Sequence, residues 1–247
     1  MPFISRRDFH VGGASLVALL LNNETVRASA ISSLETVSVG TFSGKLARPQ
    51  GTIKGGIVLI HEWWGLNEQM QSVAVALADE GYLTLAVDMF GKVATTREEA
   101  MANTKSVDAA QATSNLVEAT NLLRQEGAKK VASMGFCFGG GWSFNLSVAT
   151  AMDATIIYYG RVPTDESSVQ NLSGPVLGHF GRLDKFINTE MVAGFTNALK
   201  SAGKAHEIHE YDADHAFANP TGNRYEEDAA RLSYSRTLAF LEAHLGS

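Results

Sequence analysis

The only cysteine of the chain stands in Gly135-Phe136-Cys137-Phe138-Gly139, and two more glycines, Gly140 and Gly141, follow directly. Small residues two places before and two places after a nucleophile permit the sharp turn that lifts its side chain clear of a strand end. The backbone N–H of the next residue, Phe138, then points to where an oxyanion would form. A helix opening at that point favours a thiolate through the positive end of its dipole. A cysteine used in this way needs a base, and the base needs a carboxylate to orient it. Asp184, in Gly181-Arg182-Leu183-Asp184, and His215, in Asp214-His215-Ala216-Phe217, supply both types in the chain order nucleophile, acid, histidine. Taken singly, Asp184 also suits a helix cap, His215 a turn, and Cys137 an inert small residue between glycines. Taken together, the three point to acyl transfer.

Such residues act only if secondary structure delivers them to one place. Ile57-Val58-Leu59-Ile60 is a continuous apolar run that stops at His61-Glu62, the pattern of a central strand buried on both faces. Further strands are expected at Leu83–Val87, Lys130–Met134, Ala154–Tyr159, Pro175–Phe180 and His206–Tyr211, with an alternating edge strand at Thr36–Phe42 and a second near Lys45–Arg48. Helical spacing of Ala74, Leu77 and Ala78 predicts a helix ending near Gly81. Others are expected over Val107–Gln125, Thr189–Ala202 and Tyr225–His244. Strands alternating with helices imply an α/β fold with a mostly parallel sheet covered by helices on both faces. Side chains in the loops after the carboxyl ends of such strands share one rim. His61-Glu62, Asp88, Cys137, Asp184 and His215 all fall there.

Composition removes several classes of function. Twenty Lys and Arg against 26 Asp and Glu give a net charge of −6, and no basic face for nucleic acid follows from that balance. One cysteine makes neither an internal disulfide nor a thiolate zinc site. The glycines of 135–141 are followed by Trp142 and Ser143 where a phosphate loop needs lysine and a hydroxyl, and the dinucleotide spacing is missing. His61-Glu62-Trp63-Trp64-Gly65 stops short of the paired-histidine zinc motif, and His206 and His209 fall on opposite faces of their strand. No metal and no organic cofactor are expected, only a small-molecule substrate. At the amino terminus, Arg6-Arg7, an apolar run from Gly12 to Leu21 and Ala28-Ser29-Ala30 are similar to a twin-arginine export signal. The run is too short for a bilayer span, which takes roughly 20 apolar residues. The expected organisation is a signal peptide over 1–30, engaged by export machinery, and one domain over 31–247. The mature chain would then be periplasmic or secreted, without stable membrane insertion. An ordinary amphipathic helix is the alternative for the first thirty residues.

Gly135-Phe136-Cys137-Phe138-Gly139-Gly140, Tyr158-Tyr159-Gly160, the Asp184 turn, His215-Ala216-Phe217 and His61-Glu62-Trp63-Trp64-Gly65-Leu66-Asn67 jointly resemble the dienelactone hydrolase (carboxymethylenebutenolidase) family. The similarity spans residues 36–245. It implies the α/β-hydrolase fold and hydrolysis of an ester or lactone through a thioester. By the same resemblance Cys137 is the nucleophile, His215 the base, Asp184 its partner and Glu62 the acid that contacts the resting thiol. The N–H groups of Trp63 and Phe138 would hold the oxyanion, with Trp64 and Tyr159 beside the substrate; without the family, Trp63 and Trp64 equally suit simple packing. Lys92 stands where the family has one substrate-binding arginine, and Asn219 where it has the second. Arg224 either compensates or pairs with Glu226 or Glu227. With one lysine in place of two guanidinium forks, weaker selection for anionic lactones is expected. The competing functional classes are a broad short-chain carboxylesterase and a non-catalytic small-molecule binder on the same fold.

Overall fold

The computed structural model describes residues 29–246. The twin arginines and the apolar run lie outside the described residues. Eight strands form one sheet: β1 (Glu35–Val39), β2 (Phe42–Ala47), β3 (Gly55–Ile60), β4 (Tyr82–Asp88), β5 (Val131–Phe136), β6 (Ala154–Tyr158), β7 (Val176–Gly181) and β8 (His206–Tyr211). Their spatial order is β1-β2-β4-β3-β5-β6-β7-β8. The β1–β2 and β2–β4 pairs are antiparallel, and every pair from β4 onward is parallel. The helices are α1 (Glu68–Asp79), α2 (Arg97–Lys105), α3 (Ala109–Gln125), α4 (Phe138–Ala149), α5 (Thr189–Ser201) and α6 (Glu227–Leu245). This is the α/β-hydrolase fold.

The continuous apolar run of β3 is explained by the two cores it feeds. Ile57 and Leu59 pack into one cluster with Met70 and Leu77 of α1 and Phe240 and Leu241 of α6. Val58 and Ile60 enter another with Leu116 and Leu123 of α3 and Leu146 of α4. A third cluster seats α5 through Phe195 and Leu199 against Ile157 and Phe180. Successive strand residues point to opposite faces, so a central parallel strand must be apolar throughout.

The structure differs from the sequence pattern at two places. The edge strand read over Thr36–Phe42 is broken: Val39 pairs with Phe42 across a two-residue turn at Gly40-Thr41. Gly40 takes φ +58°, and Asn115 Oδ1 accepts the Thr41 N–H at 3.2 Å. The alternation continued through the turn and hid it. The second difference is α2, which the hydrophobic pattern did not announce because only Ala100 and Asn103 of it are buried.

Candidate active site

Cys137 sits between the end of β5 and the start of α4 with φ 54° and ψ −115°. A non-glycine residue in that region carries about 1–3 kcal/mol of strain, so the surroundings must enforce it. They do so by close approach of backbones. A Cβ on Gly135 would lie 1.9 Å from the Gly139 carbonyl oxygen, and one on Gly139 would lie 2.3 Å from the carbonyl oxygen of Ile60. Gly140 packs against Gly160, where an added Cβ would come within 2.7 Å of its Cα. The Cys137 N–H donates to the Tyr158 carbonyl at 2.9 Å, and the Gly140 N–H donates to the Cys137 carbonyl at 3.0 Å.

The turn after β7 carries Asp184 and the turn after β8 carries His215. One Asp184 oxygen accepts the N–H groups of Phe186 and Ile187 at 2.7 and 3.0 Å. The other accepts from His215 Nδ1 at 2.6 Å. His215 Nε2 lies 3.1 Å from Cys137 Sγ. Burial alone would lower the histidine pKa, but the bonds to Asp184 and Cys137 outweigh it and push His215 up to about 10. Burial works against ionisation of Asp184 too, and is overcome by His215 and the two N–H groups, which hold its carboxyl below the usual range.

Glu62 follows β3. Its carboxylate accepts from Tyr159 Oη at 3.1 Å and from Asn219 Nδ2 at 2.7 Å. Asn219 is fixed in turn, since its Oδ1 accepts from Thr221 N–H and Oγ1 at 3.0 and 2.7 Å. Desolvation raises the Glu62 carboxyl, and the bonds from Asn219 and Tyr159, with the charges of His215 and Arg224, only partly offset this. The hydrogen bonds of Glu62 thus go to Asn219 and Tyr159, while the thiol faces His215. His61 belongs to the scaffold. Its Nε2 accepts the Met89 N–H at 3.1 Å, which leaves Nδ1 to donate to the Glu62 carbonyl at 2.6 Å, and burial keeps the ring neutral.

These residues open into a cavity of about 640 Å³. Of the sequence-derived set, Glu62, Trp63, Trp64, Cys137, Phe138, Tyr159, His215, Asn219 and Arg224 line it; Asp184 stands behind His215, and Lys92 is outside. Lys92 is exposed on the turn after β4, within electrostatic reach of Glu99. Five lining residues escaped the sequence reading: Arg97 and Met101 from α2, Arg161 from the turn after β6, and Phe186 and Ile187 from the turn after β7. Phe186 lines the mouth, with its ring edge to face on His215 at 5.7 Å although 68 % exposed. Among the described residues Arg97, Arg161 and Arg224 enter no ion pair. No group of His, Cys, Asp and Glu among them has the arrangement of a metal site, and no helix among them is long and apolar enough to cross a membrane.

A mostly parallel sheet, a strained turn at Cys137 after β5, and an acid and a histidine after later strands define an α/β-hydrolase fold. The dienelactone hydrolase family model matches residues 42–245, and the chain belongs to that family. It is a hydrolase of the dienelactone hydrolase type. A relative in Azospirillum brasilense, 30 % identical over 224 residues (84 % of this chain and 95 % of the relative), carries the name carboxymethylenebutenolidase provisionally. The carboxymethylenebutenolidase of Pseudomonas putida is 26 % identical over 223 residues, 85 % of this chain and 94 % of its own. Among solved structures, the dienelactone hydrolase-like promiscuous phosphotriesterase P91 from metagenomic libraries superposes with a TM-score of 0.74 at 21 % identity. That match covers 85 % of this chain and 97 % of the other.

Proposed function

We propose that the chain hydrolyses a carboxylic ester or lactone through a Cys137–His215–Asp184 triad. The observation that carries this is the unbroken relay from Sγ to Nε2 at 3.1 Å and from Nδ1 to the Asp184 carboxylate at 2.6 Å. With His215 holding the proton, sulfur attacks the carbonyl carbon, and an S–C bond forms as the carbonyl electrons move to oxygen. The N–H groups of Trp63 and Phe138, which meet no backbone acceptor in the described residues, receive that oxyanion. Collapse breaks the C–O bond, and His215 passes its proton to the leaving alkoxide. The neutral imidazole then takes a proton from water as the water attacks the thioester, and the acid and the thiol are regenerated. Glu62 has both oxygens engaged by neighbours, so charging the sulfur falls to His215.

The relatives' carboxymethylenebutenolidase names point to an unsaturated lactone bearing a carboxylate. Arg97 and Arg224 supply cations on the cavity wall for such a group, in place of Lys92. The experiment is a burst assay with p-nitrophenyl acetate on the purified protein, with acyl-enzyme trapped by acid and located by mass spectrometry. Acyl mass on the peptide carrying Cys137 is expected; turnover without it, or a silent enzyme, would refute the triad.

A further inference from the structure

A second cavity, of about 630 Å³, shares Phe138 and Arg161 with the first. Phe138 is the residue next to Cys137, so the second cavity adjoins the first one residue from the nucleophile. One wall is a face of α4: Phe138, Trp142 and Asn145 recur at intervals of four and three and lie on the same side of the helix. The Phe138 and Trp142 rings meet edge to face at 6.2 Å, which fixes the indole. The opposite wall is the segment after β6, with Arg161, Thr164 and Asp165.

The chemistry of these walls differs from that of the first cavity. Arg161 offers only donors. Asp165 offers only acceptors, and both its oxygens already take hydroxyl or N–H donors from Ser167 and Ser168, so it is held in place and ionised. Asn145 and Thr164 each give and accept. An anionic group would meet Asp165 beside Arg161 and gain little. An apolar group would strip water from four polar side chains. A group with several neutral hydroxyls donates to Asp165, accepts from Arg161 and places its C–H face on Trp142.

We propose that this cavity is a subsite for a polyhydroxylated leaving group, a glycosyl or similar polyol, esterified to the acyl part that Cys137 attacks. The proposal rests on the acyl-transfer reading above. The polyol oxygen departs as the C–O bond breaks, takes its proton from His215 and leaves as the free polyol, while the acyl group remains on sulfur until water releases it.

The test compares kcat/KM for methyl 6-O-acetyl-α-glucopyranoside with that for ethyl acetate, in the native protein and in Asn145→Leu, Thr164→Val and Trp142→Leu. Asn145 and Thr164 are exposed, and those two substitutions leave folding intact. In the native protein the sugar ester is expected to be favoured about tenfold or more. Asn145→Leu and Trp142→Leu should each lower that ratio about five- to tenfold, chiefly through KM. Isothermal titration of the Cys137→Ala protein with the sugar ester gives a second readout, with binding expected and its loss expected on adding Asn145→Leu. A native ratio near one, or a ratio unmoved by Asn145→Leu and Thr164→Val, would overturn the subsite while acyl mass trapped on the Cys137 peptide still upheld the triad. No turnover of any ester would instead sink the acyl-transfer reading, with titration still deciding whether the polyol binds.

Discussion

At the scale of single residues the site depends on where one proton sits. His215 titrates at about 10 in the fold against an ordinary 6.5, so the folded protein binds that proton more tightly than the unfolded chain. Its contribution to stability is therefore complete below about pH 6.5 and fades as the pH rises toward 10. Asp184→Asn removes the main bond that raises it. The His215 ring titration, followed by NMR, should move from near 10 toward or below 6.5, with kcat/KM falling by several powers of ten as in other triads. An unmoved midpoint would show that Asp184 does not hold the imidazolium. Cys137→Ala should be as damaging to turnover; full activity in that folded variant would exclude the mechanism. How much of this was legible in the chain follows from its chemistry. Cys137, Asp184 and His215 are few, polar and placed after apolar runs, so their types and order announced them. Glu62 was found through the family resemblance, but its bonds to Tyr159 and Asn219 span 97 and 157 residues, and no local pattern encodes them. Lys92 misled because a motif position fixes the backbone, whereas side-chain direction depends on the turn it occupies.

At the scale of elements, the elbow is a test of close packing between backbones. A Cβ on Gly135 would fall 1.9 Å from the Gly139 oxygen, with no flexible side chain to yield. Gly135→Ala should cost about 1–3 kcal/mol or more and displace Cys137, with activity lost before the fold. Gly141, in α4 just past the turn, is the control: its added Cβ meets the Arg161 oxygen at an ordinary 3.4 Å. Replacing glycine by alanine inside a helix stabilises by about 0.5–1 kcal/mol, so Gly141→Ala should raise Tm by about 1–4 °C. Thermal melts of the two variants check both signs, and equal effects would remove the packing argument. The element that sequence periodicity missed, α2, shows why patterns fail at sites. It lies on the surface, with little apolar face to read, yet it brings Arg97 and Met101 to the cavity. Its signal was local instead. Thr96 and Glu99 cap each other's backbone, a capping box visible as Thr-x-x-Glu.

At the scale of the whole molecule, charge is distributed against the average. The chain carries a net −6, yet three arginines that enter no ion pair among the described residues line one cavity whose lining holds a single carboxylate, the buried Glu62. For a periplasmic or secreted enzyme, as we propose from Arg6-Arg7 and Ala28-Ser29-Ala30, that contrast would matter outside the cytoplasm; replacing both arginines with lysine should leave precursor unprocessed, and normal processing would refute the assignment. The contrast itself bears on substrate choice. The positions inherited from the family, Lys92 and Asn219, would argue for weak selection of anionic lactones, since Lys92 is outside the cavity and Asn219 is committed to Glu62. On the proposed reading Arg97 and Arg224 argue the other way, because a guanidinium on each of two different elements can meet a carboxylate that enters beside the proposed triad. Both are exposed, so water and salt weaken each contact, and an exposed pair is worth little more than about 1 kcal/mol, or about fivefold. Acting together on one carboxylate, they should favour an acidic lactone over its methyl ester by about ten- to thirtyfold, and the Debye length, about 10 Å at 0.1 M salt, makes that preference shrink as salt is added. Arg97→Gln and Arg224→Gln should each lower the ratio of kcat/KM for acid over ester about three- to fivefold, and the double substitution should bring it close to one. A preference that survives the double substitution at low salt would move the carboxylate site elsewhere, to Arg161 and the boundary with the second cavity.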